Sequence, residues 1–388
     1  MRFLSIFALL QVTLSLPTEQ IPLLRHANTN RTVSPELFGD LEELARIVDI
    51  SYCVGLTGIG VSKPFRCLSR CSEFPTFELV KTWNTGQLMS DSCGYIAVDH
   101  DVNNPRVIVA FRGTYSIANT VVDLSTKPQE YAPYPGETDP TRPAPRCMNC
   151  TVHTGFYSSW NITSPVIIPD IEATPAAYPG YQLTLVGHSL GGAVAALAGL
   201  DFVSRGWDPM VTTFGEPRIG NKVLMEYMDA RFSTSTETDQ TSDLSMRYRR
   251  VTHIDDPVPL LPLSEWGYRM HAGEIYITKP SLSPDIQDLQ LCSGDEDSQC
   301  IAGQDPSLSA TDERRDQVIS LRDVVRHAQE TIADDDGVTS TVWVPARYKL
   351  WQLFFAHRDY FWRLGLCVPG GDPWDWGRER PIKDELAR

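Results

Sequence analysis

The chain has 388 residues, 42% of them hydrophobic, enough for one large domain or two smaller ones with a sizeable core. Its formal net charge of −15 argues against a nucleic-acid partner, because phosphate backbones attract basic surfaces. The same charge predicts weak attraction to anionic membranes and otherwise concerns solubility more than substrate.

Taken in chain order, the first element is a targeting segment. Met1-Arg2 is a short basic start, and Phe3 to Leu16 is a mostly apolar run too short and too early for a typical membrane span. Residues 1–16 therefore read as a secretory signal peptide, and the polar, proline-flanked residues 17–32 as a leader or propeptide. Ser34 is placed to cap a first helix with Pro35 at its first position. Leu37, Leu41, Leu44, Ala45, Val48 and Tyr52 then recur near helical spacing. Tyr95-Ile96-Ala97-Val98 and Val107 to Phe111 read as two strands joined across the polar stretch Asp99 to Arg106. Residues 124–146, rich in Pro and Thr, read as an exposed loop. Tyr181 to Val186 is a buried strand, Gly192 to Ala198 a helix, and Arg247 to Ile254 a further strand. Residues 292–318 are polar and acidic and read as a mobile insertion. Alternating strands and helices predict the α/β class, with a mostly parallel central sheet and helices on both faces. There is no internal repeat. Lys383-Asp384-Glu385-Leu386 is not read as a retention signal, because Ala387 and Arg388 follow it.

The chemistry is concentrated between the predicted strand and helix in the middle. Gly187-His188-Ser189-Leu190-Gly191 fits Gly-x-Ser-x-Gly, the nucleophile elbow of serine hydrolases. Strand, tight turn and helix in that order put Ser189 on a strained turn with its hydroxyl exposed at a helix N-terminus. Glycine suits positions 187 and 191, where a side chain would crowd the adjoining strand and helix. The alternative is a Gly-rich helix start with an idle serine. A serine nucleophile needs a base and a carboxylate to orient that base, in the chain order Ser, Asp or Glu, His. Asp255 and Asp256, just past the strand at 247–254, qualify equally as acid on spacing, and either reads equally well as a turn-forming aspartate before Pro257. Three histidines follow: His271 reads as a satisfied structural residue, His327 as a solvated one on an amphipathic helix, and His357 lies among apolar neighbours that could shield a catalytic pair.

The elbow and its flank, Gly187 to Ala193, resemble the secreted fungal class 3 lipases, and other stretches match in the same order. Phe111-Arg112-Gly113-Thr114 is similar to their oxyanion loop, and Val152 to Phe156 to the segment after their lid. Phe214 to Arg218 is similar to the strand and turn after the nucleophile helix. His253 to Pro259 resembles the segment carrying the acid, and Ala356 to Phe361 the one carrying the histidine. The match spans roughly residues 33–370, which would form one α/β-hydrolase domain followed by a tail at 371–388. It implies Ser189, Asp256 and His357 as the catalytic set, with Thr114 and Leu190 forming the oxyanion hole.

Nine cysteines suit an oxidising destination. The resemblance implies the pairs Cys53–Cys367, Cys67–Cys71 and Cys147–Cys150, spacing suggests Cys292–Cys300, and Cys93 is left as a buried thiol. Pro143 and Pro145 before Cys147-Met148-Asn149-Cys150 argue against a redox motif, and no second ligand pair lies at zinc spacing. Acceptor sequences for N-glycosylation occur at Asn30, Asn149 and Asn161, of which Asn149, between paired cysteines, is the poorest.

The expectation is a secreted, monomeric serine hydrolase of carboxylic esters, acylglycerols first among them, with no metal or cofactor. Ser116 to Leu124 aligns with the family's lid and offers a modest apolar face of Ile117, Val121 and Leu124 toward a lipid–water interface. Thr120 stands where family lipases often carry tryptophan, which weakens the case for interfacial activation. The alternatives are a feruloyl or other soluble-ester esterase and, in another class, an inactive lipid-binding protein.

Overall fold

In the computed structural model, residues 31–55, 60–86, 92–114, 128–134, 147–234, 243–305 and 355–375 are described. The expected signal (1–16), all but the last two residues of the expected leader (17–32), the lid stretch Ser116 to Leu124 and His327 lie outside them.

Helix α1 (Pro35–Ile50) starts as its sequence requires, with Ser34 Oγ accepting from Leu37 N at 3.1 Å and Pro35 in the first turn. The strands β1 (Phe77–Asn84), β2 (Cys93–Asp99), β3 (Arg106–Phe111), β6 (Gln182–His188), β7 (Met210–Phe214), β9 (Tyr248–His253), β11 (Glu274–Ile277) and β12 (Leu289–Leu291) form one sheet in that order. From β3 to β11 every pairing is parallel, and antiparallel strands flank that centre on both sides. Two helices bracket β6 in sequence: α2 (Thr154–Ala177) precedes it and α3 (Leu190–Ser204) follows it. Successive side chains along the strands point to opposite faces. Val107, Val109, Phe111 and Leu185 join the α2 and α3 side, whereas Ile108, Ala110 and Val186 join the α1 side. Both faces are thus covered, and the central strands read as unbroken apolar runs for that reason. This is the expected α/β-hydrolase arrangement.

Two segments depart from their sequence reading. Within the predicted loop 124–146, Pro128–Glu130 forms a short strand, β4, paired with β5 (Thr151–His153). The first part of the predicted mobile insertion is packed. Cys292 and Cys300 are bridged, Ile301 is fully buried, and Asp305 makes a buried ion pair with Arg218 at 2.5 Å. Asp305 there is the partner of a buried arginine, and composition alone cannot distinguish that from solvation. Cys53–Cys367, Cys67–Cys71 and Cys147–Cys150 are formed as well, and the Cys93 thiol is buried, donating to Asn84 Oδ1 at 3.0 Å.

The segment 355–375 returns to α1. A short hairpin of β13 (Asp359–Tyr360) and β14 (Trp362–Arg363) is fastened by Trp362 Nε1 donating to Glu42 and by Gly365 N donating to Asp49 at 2.8 Å. Cys53–Cys367 closes a span of 314 residues over the same contact. Replacing both cysteines with serine should lower unfolding stability by about 2–5 kcal/mol, since closing a long loop restricts the unfolded chain. Urea denaturation with and without the bridge checks this.

Candidate active site

The parallel strands end level with one another. Phe111 pairs with Gly187, His188 with Phe214, and Phe214 with Val251. Their C-terminal ends therefore deliver the loop to Thr114, the turn at Ser189, the turn at Gly215 and the turn at Asp256 to one edge of the sheet, where open α/β sheets place ligands.

Ser189 sits at φ 58°, ψ −128°, between the last residue of β6 and the first of α3, and it is buried, 2% exposed, where the sequence reading expects an exposed hydroxyl. A non-glycine residue at positive φ carries strain that its surroundings must hold. Here its N–H donates to Phe214 O at 2.9 Å, and its own carbonyl accepts from Gly192 N at 2.9 Å. The glycines fit as expected, since a Cβ on Gly187 would stand 2.2 Å from Gly191 O. Leu190 is the first helical residue, and first-turn amides have no acceptor within the helix.

The loop after β3 lies against this turn. A Cβ on Gly113 would stand 2.9 Å from Ser189 Cβ and 2.7 Å from His188 O. The next residue, Thr114, has a buried hydroxyl with no hydrogen-bond partner among the described residues. A buried donor without a protein acceptor is costly unless a ligand completes it.

His357 packs on the turn after β7: a Cβ on Gly215 would lie 2.9 Å from its Cε1, and Gly215 is at φ +59°, where glycine is favoured. Its Nδ1 faces Asp256, at 3.1 Å from Oδ1 and 3.0 Å from Oδ2. Its Nε2 is buried and makes no hydrogen bond among the described residues. Asp256, not its neighbour Asp255, therefore meets the histidine. Asp256 is 1% exposed and also accepts from Val258 N at 2.9 Å and from the Tyr360 hydroxyl. Burial alone would raise its carboxyl, but the His357 imidazole and the Tyr360 and Val258 donors outweigh it and hold the group below the usual carboxylate range. Tyr360 stays a donor because burial, and then the Asp256 charge, push its hydroxyl well up.

Two contributors have no role in the sequence reading. His188 stacks on His357 with ring centroids 4.7 Å apart. Its Nε2 lies 2.8 Å from the His357 carbonyl and its Nδ1 2.6 Å from the Tyr52 hydroxyl. A carbonyl only accepts, so Nε2 carries the proton and Nδ1 accepts from Tyr52. Burial, followed by the His357 imidazole, pushes His188 down to about 3. Tyr360 is the other; its signal was its place three residues after His357 in an apolar stretch. His271 is satisfied elsewhere, by Glu216 at 3.0 Å and Ala272 O at 2.7 Å.

With the geometry in hand, comparison with known proteins is decisive. Residues 108–266 match the family model "Lipase (class 3)". The chain is 52% identical to secreted mono- and diacylglycerol lipase 2 of Gibberella zeae, over 91% of this chain and 88% of that protein. This chain belongs to the class 3 lipase family. It is also 50% identical to lipase A of Sodiomyces alcalophilus, over 97% of this chain and 92% of that one. Among solved structures, the Lip2 lipase of Yarrowia lipolytica superposes with a TM-score of 0.66 at 27% identity, covering 87% of this chain and 97% of that chain. A triacylglycerol lipase whose catalytic centre is described as a serine protease triad matches at 26% identity with a TM-score of 0.54, over 71% of this chain and 92% of that one.

Two outcomes follow for this class 3 lipase. Tyr360→Phe removes a donor from a buried carboxylate and should cost about 1.5–3 kcal/mol of stability, read from urea denaturation. His188, neutral when folded down to about pH 3 but with an ordinary value of 6.5, makes the unfolded chain bind the extra proton between those limits. Its contribution is therefore complete above pH 6.5 and lost as pH falls. The stability deficit of His188→Gln should shrink toward low pH, by up to ~1.4 kcal/mol per pH unit. A deficit constant from pH 7 to 4 would refute the neutral assignment.

Proposed function

We propose that this protein is a secreted lipase that hydrolyses acylglycerol esters through an acyl-enzyme on Ser189. The observation that carries the proposal is the state of His357, clamped by Asp256 at Nδ1 while Nε2 lies buried and unpartnered at the sheet edge that bears Ser189. Hydrogen bonds between nucleophile and base are often long before substrate arrives.

In this reading the Ser189 hydroxyl attacks the ester carbonyl carbon as His357 Nε2 takes its proton. Asp256 holds the ring in the tautomer with hydrogen on Nδ1 and stabilises the imidazolium that forms. The negative charge developing on the carbonyl oxygen is met by the Leu190 N–H, which the helix leaves without an acceptor, and by Thr114. The alcohol leaves with the proton from His357, and water then repeats the sequence on the acyl-enzyme. One chain supplies every group, so a monomer suffices.

Acylglycerols are favoured over feruloyl or other soluble esters by relatives of about half identity that are named as lipases, one of them a mono- and diacylglycerol lipase. A complete set of groups also weighs against an inactive lipid-binding role. Release of fatty acid from mono-, di- and triacylglycerol emulsions, beside a soluble short-chain ester, tests the proposal. Ser189→Ala should lower kcat by about 10⁴-fold or more on every ester that is turned over. Thr114→Val should cost roughly 10²–10³-fold in kcat with little change in KM, because an oxyanion donor acts in the transition state. A folded Ser189→Ala protein with undiminished activity would overturn the assignment.

A further inference from the structure

We propose that Asn161 carries an N-linked glycan and that its first N-acetylglucosamine seats in the aromatic cleft beside it. Asn161-Ile162-Thr163 is an acceptor sequence, and a secreted chain passes the machinery that reads it, so this inference rests on the secretory reading. The covalent step is the displacement of a lipid-diphosphate carrier from C1 of the first sugar by the Asn161 amide nitrogen. The nitrogen loses a proton, the diphosphate leaves with the bonding pair, and no redox partner is needed.

The fold supplies a place for that sugar. Asn161 is exposed on α2, and it forms part of the wall of a cleft of about 190 Å³. Tyr131, Tyr134, Tyr157 and Trp160 line the same cleft, with Asp201 and Arg205 among its polar groups. A pyranose has an apolar face of C–H bonds and a polar rim, and this lining offers both kinds of surface. The polar groups are held in place: Arg205 Nε donates to Asp201 Oδ1 at 2.6 Å, and Trp160 Nε1 donates to Asp201 Oδ2 at 3.1 Å. The Arg205 guanidinium lies 3.7 Å from the centroid of Tyr134, and Tyr157 donates to Ala132 O at 2.9 Å, so the aromatic walls are fixed before any sugar arrives. A carboxylate and a guanidinium with bonding capacity to spare can meet the acetamido and hydroxyl groups of the ring.

The other described acceptor lacks this setting. Asn149 is confined to the small ring closed by Cys147–Cys150, at φ 64°, and its carbonyl is engaged by Asn221 Nδ2 at 2.8 Å. A glycan that merely projected from Asn161 would leave the aromatic cleft to solvent; a seated one covers it, exchanging water for ring contacts.

The test uses the full chain secreted by a glycosylating fungal host and trimmed with an endoglycosidase that leaves one N-acetylglucosamine at each occupied site. Peptide mass spectrometry should find that single sugar on Asn161. The thermal midpoint of Asn161→Gln should lie roughly 1–2 °C below that of the trimmed wild type, the shift expected for about 1 kcal/mol in a domain this large. The same substitution should shift nothing in chain made without glycosylation in an oxidising bacterial host. Should the bacterial chain not fold, Tyr134→Ala gives the second reading: it should cost less in the Asn161→Gln background than in the trimmed wild type. Hydrolysis of a soluble ester should be equal in all variants, so failure here leaves the hydrolase reading standing. An unmodified Asn161 overturns the proposal, and so does a modified Asn161 whose removal changes neither the midpoint nor the cost of Tyr134→Ala.

Discussion

Asp256 is a carboxylate taken wholly out of water, and such a charge persists only if the protein supplies the donors that water would have supplied. Three do so: the Val258 amide, the Tyr360 hydroxyl and His357 Nδ1. Val258 is local, two residues on. The other two come from more than a hundred residues later in the chain, so the charge at the end of β9 is satisfied only when the segment 355–375 has come home. That segment is long-range in sequence and short of its own secondary structure. Its place is determined by the hairpin against α1, the buried pairings to Glu42 and Asp49, and the bridge to Cys53. The site is thus complete only in the finished fold, and each anchor of the returning segment also serves the chemistry.

The second constraint is the strained turn at Ser189. Positive φ at a side-chain-bearing residue is tolerated because strand β6, helix α3 and the end of β7 over-determine it. The reward for that strain is direction. The side chain stands where α3 begins, close against Gly113 of the loop after β3. Parallel pairing makes this possible, since level strand ends bring four separate turns to one line without any of them being long.

Much of this was legible in the sequence, and the reasons are physical. Gly187, Gly191 and Ser189 mark a turn that few sequences satisfy. The cap at Ser34 and Pro35 and the apolar runs of β3 and β6 are local signals read by local rules. What stayed hidden depends on partners distant in the chain. Helix α2 contains Pro165, Pro169 and Pro175, residues that normally end or kink a helix, so nothing in its own sequence announces 24 continuous residues. Tertiary burial of Phe156, Trp160, Ile167 and Ile171 against the sheet outweighs that local preference. The acidic stretch after residue 292 reads as solvated until Arg218 is seen opposite Asp305. Asp255 and Asp256 cannot be told apart by spacing; resemblance favoured the second, and His357 is found to face it.

His188 shows how closely the remaining parts are coupled. It is the residue before Ser189, yet its ring stacks on His357 and bonds to the His357 carbonyl. Two stacked imidazoles in a dry interior cannot both be charged without mutual repulsion, so one of the pair has to remain neutral for the other to accept a proton. Burial makes His188 that neutral partner, and its two hydrogen bonds fix which nitrogen holds the hydrogen. The bond from Nε2 reaches the backbone carbonyl of His357, while the side chain of His357 is held by Asp256. His357 is therefore gripped at its main chain by His188 and at its ring by Asp256. A shift of the turn at Ser189 must carry His357 with it, which keeps the two in register even though 168 positions separate them in the sequence.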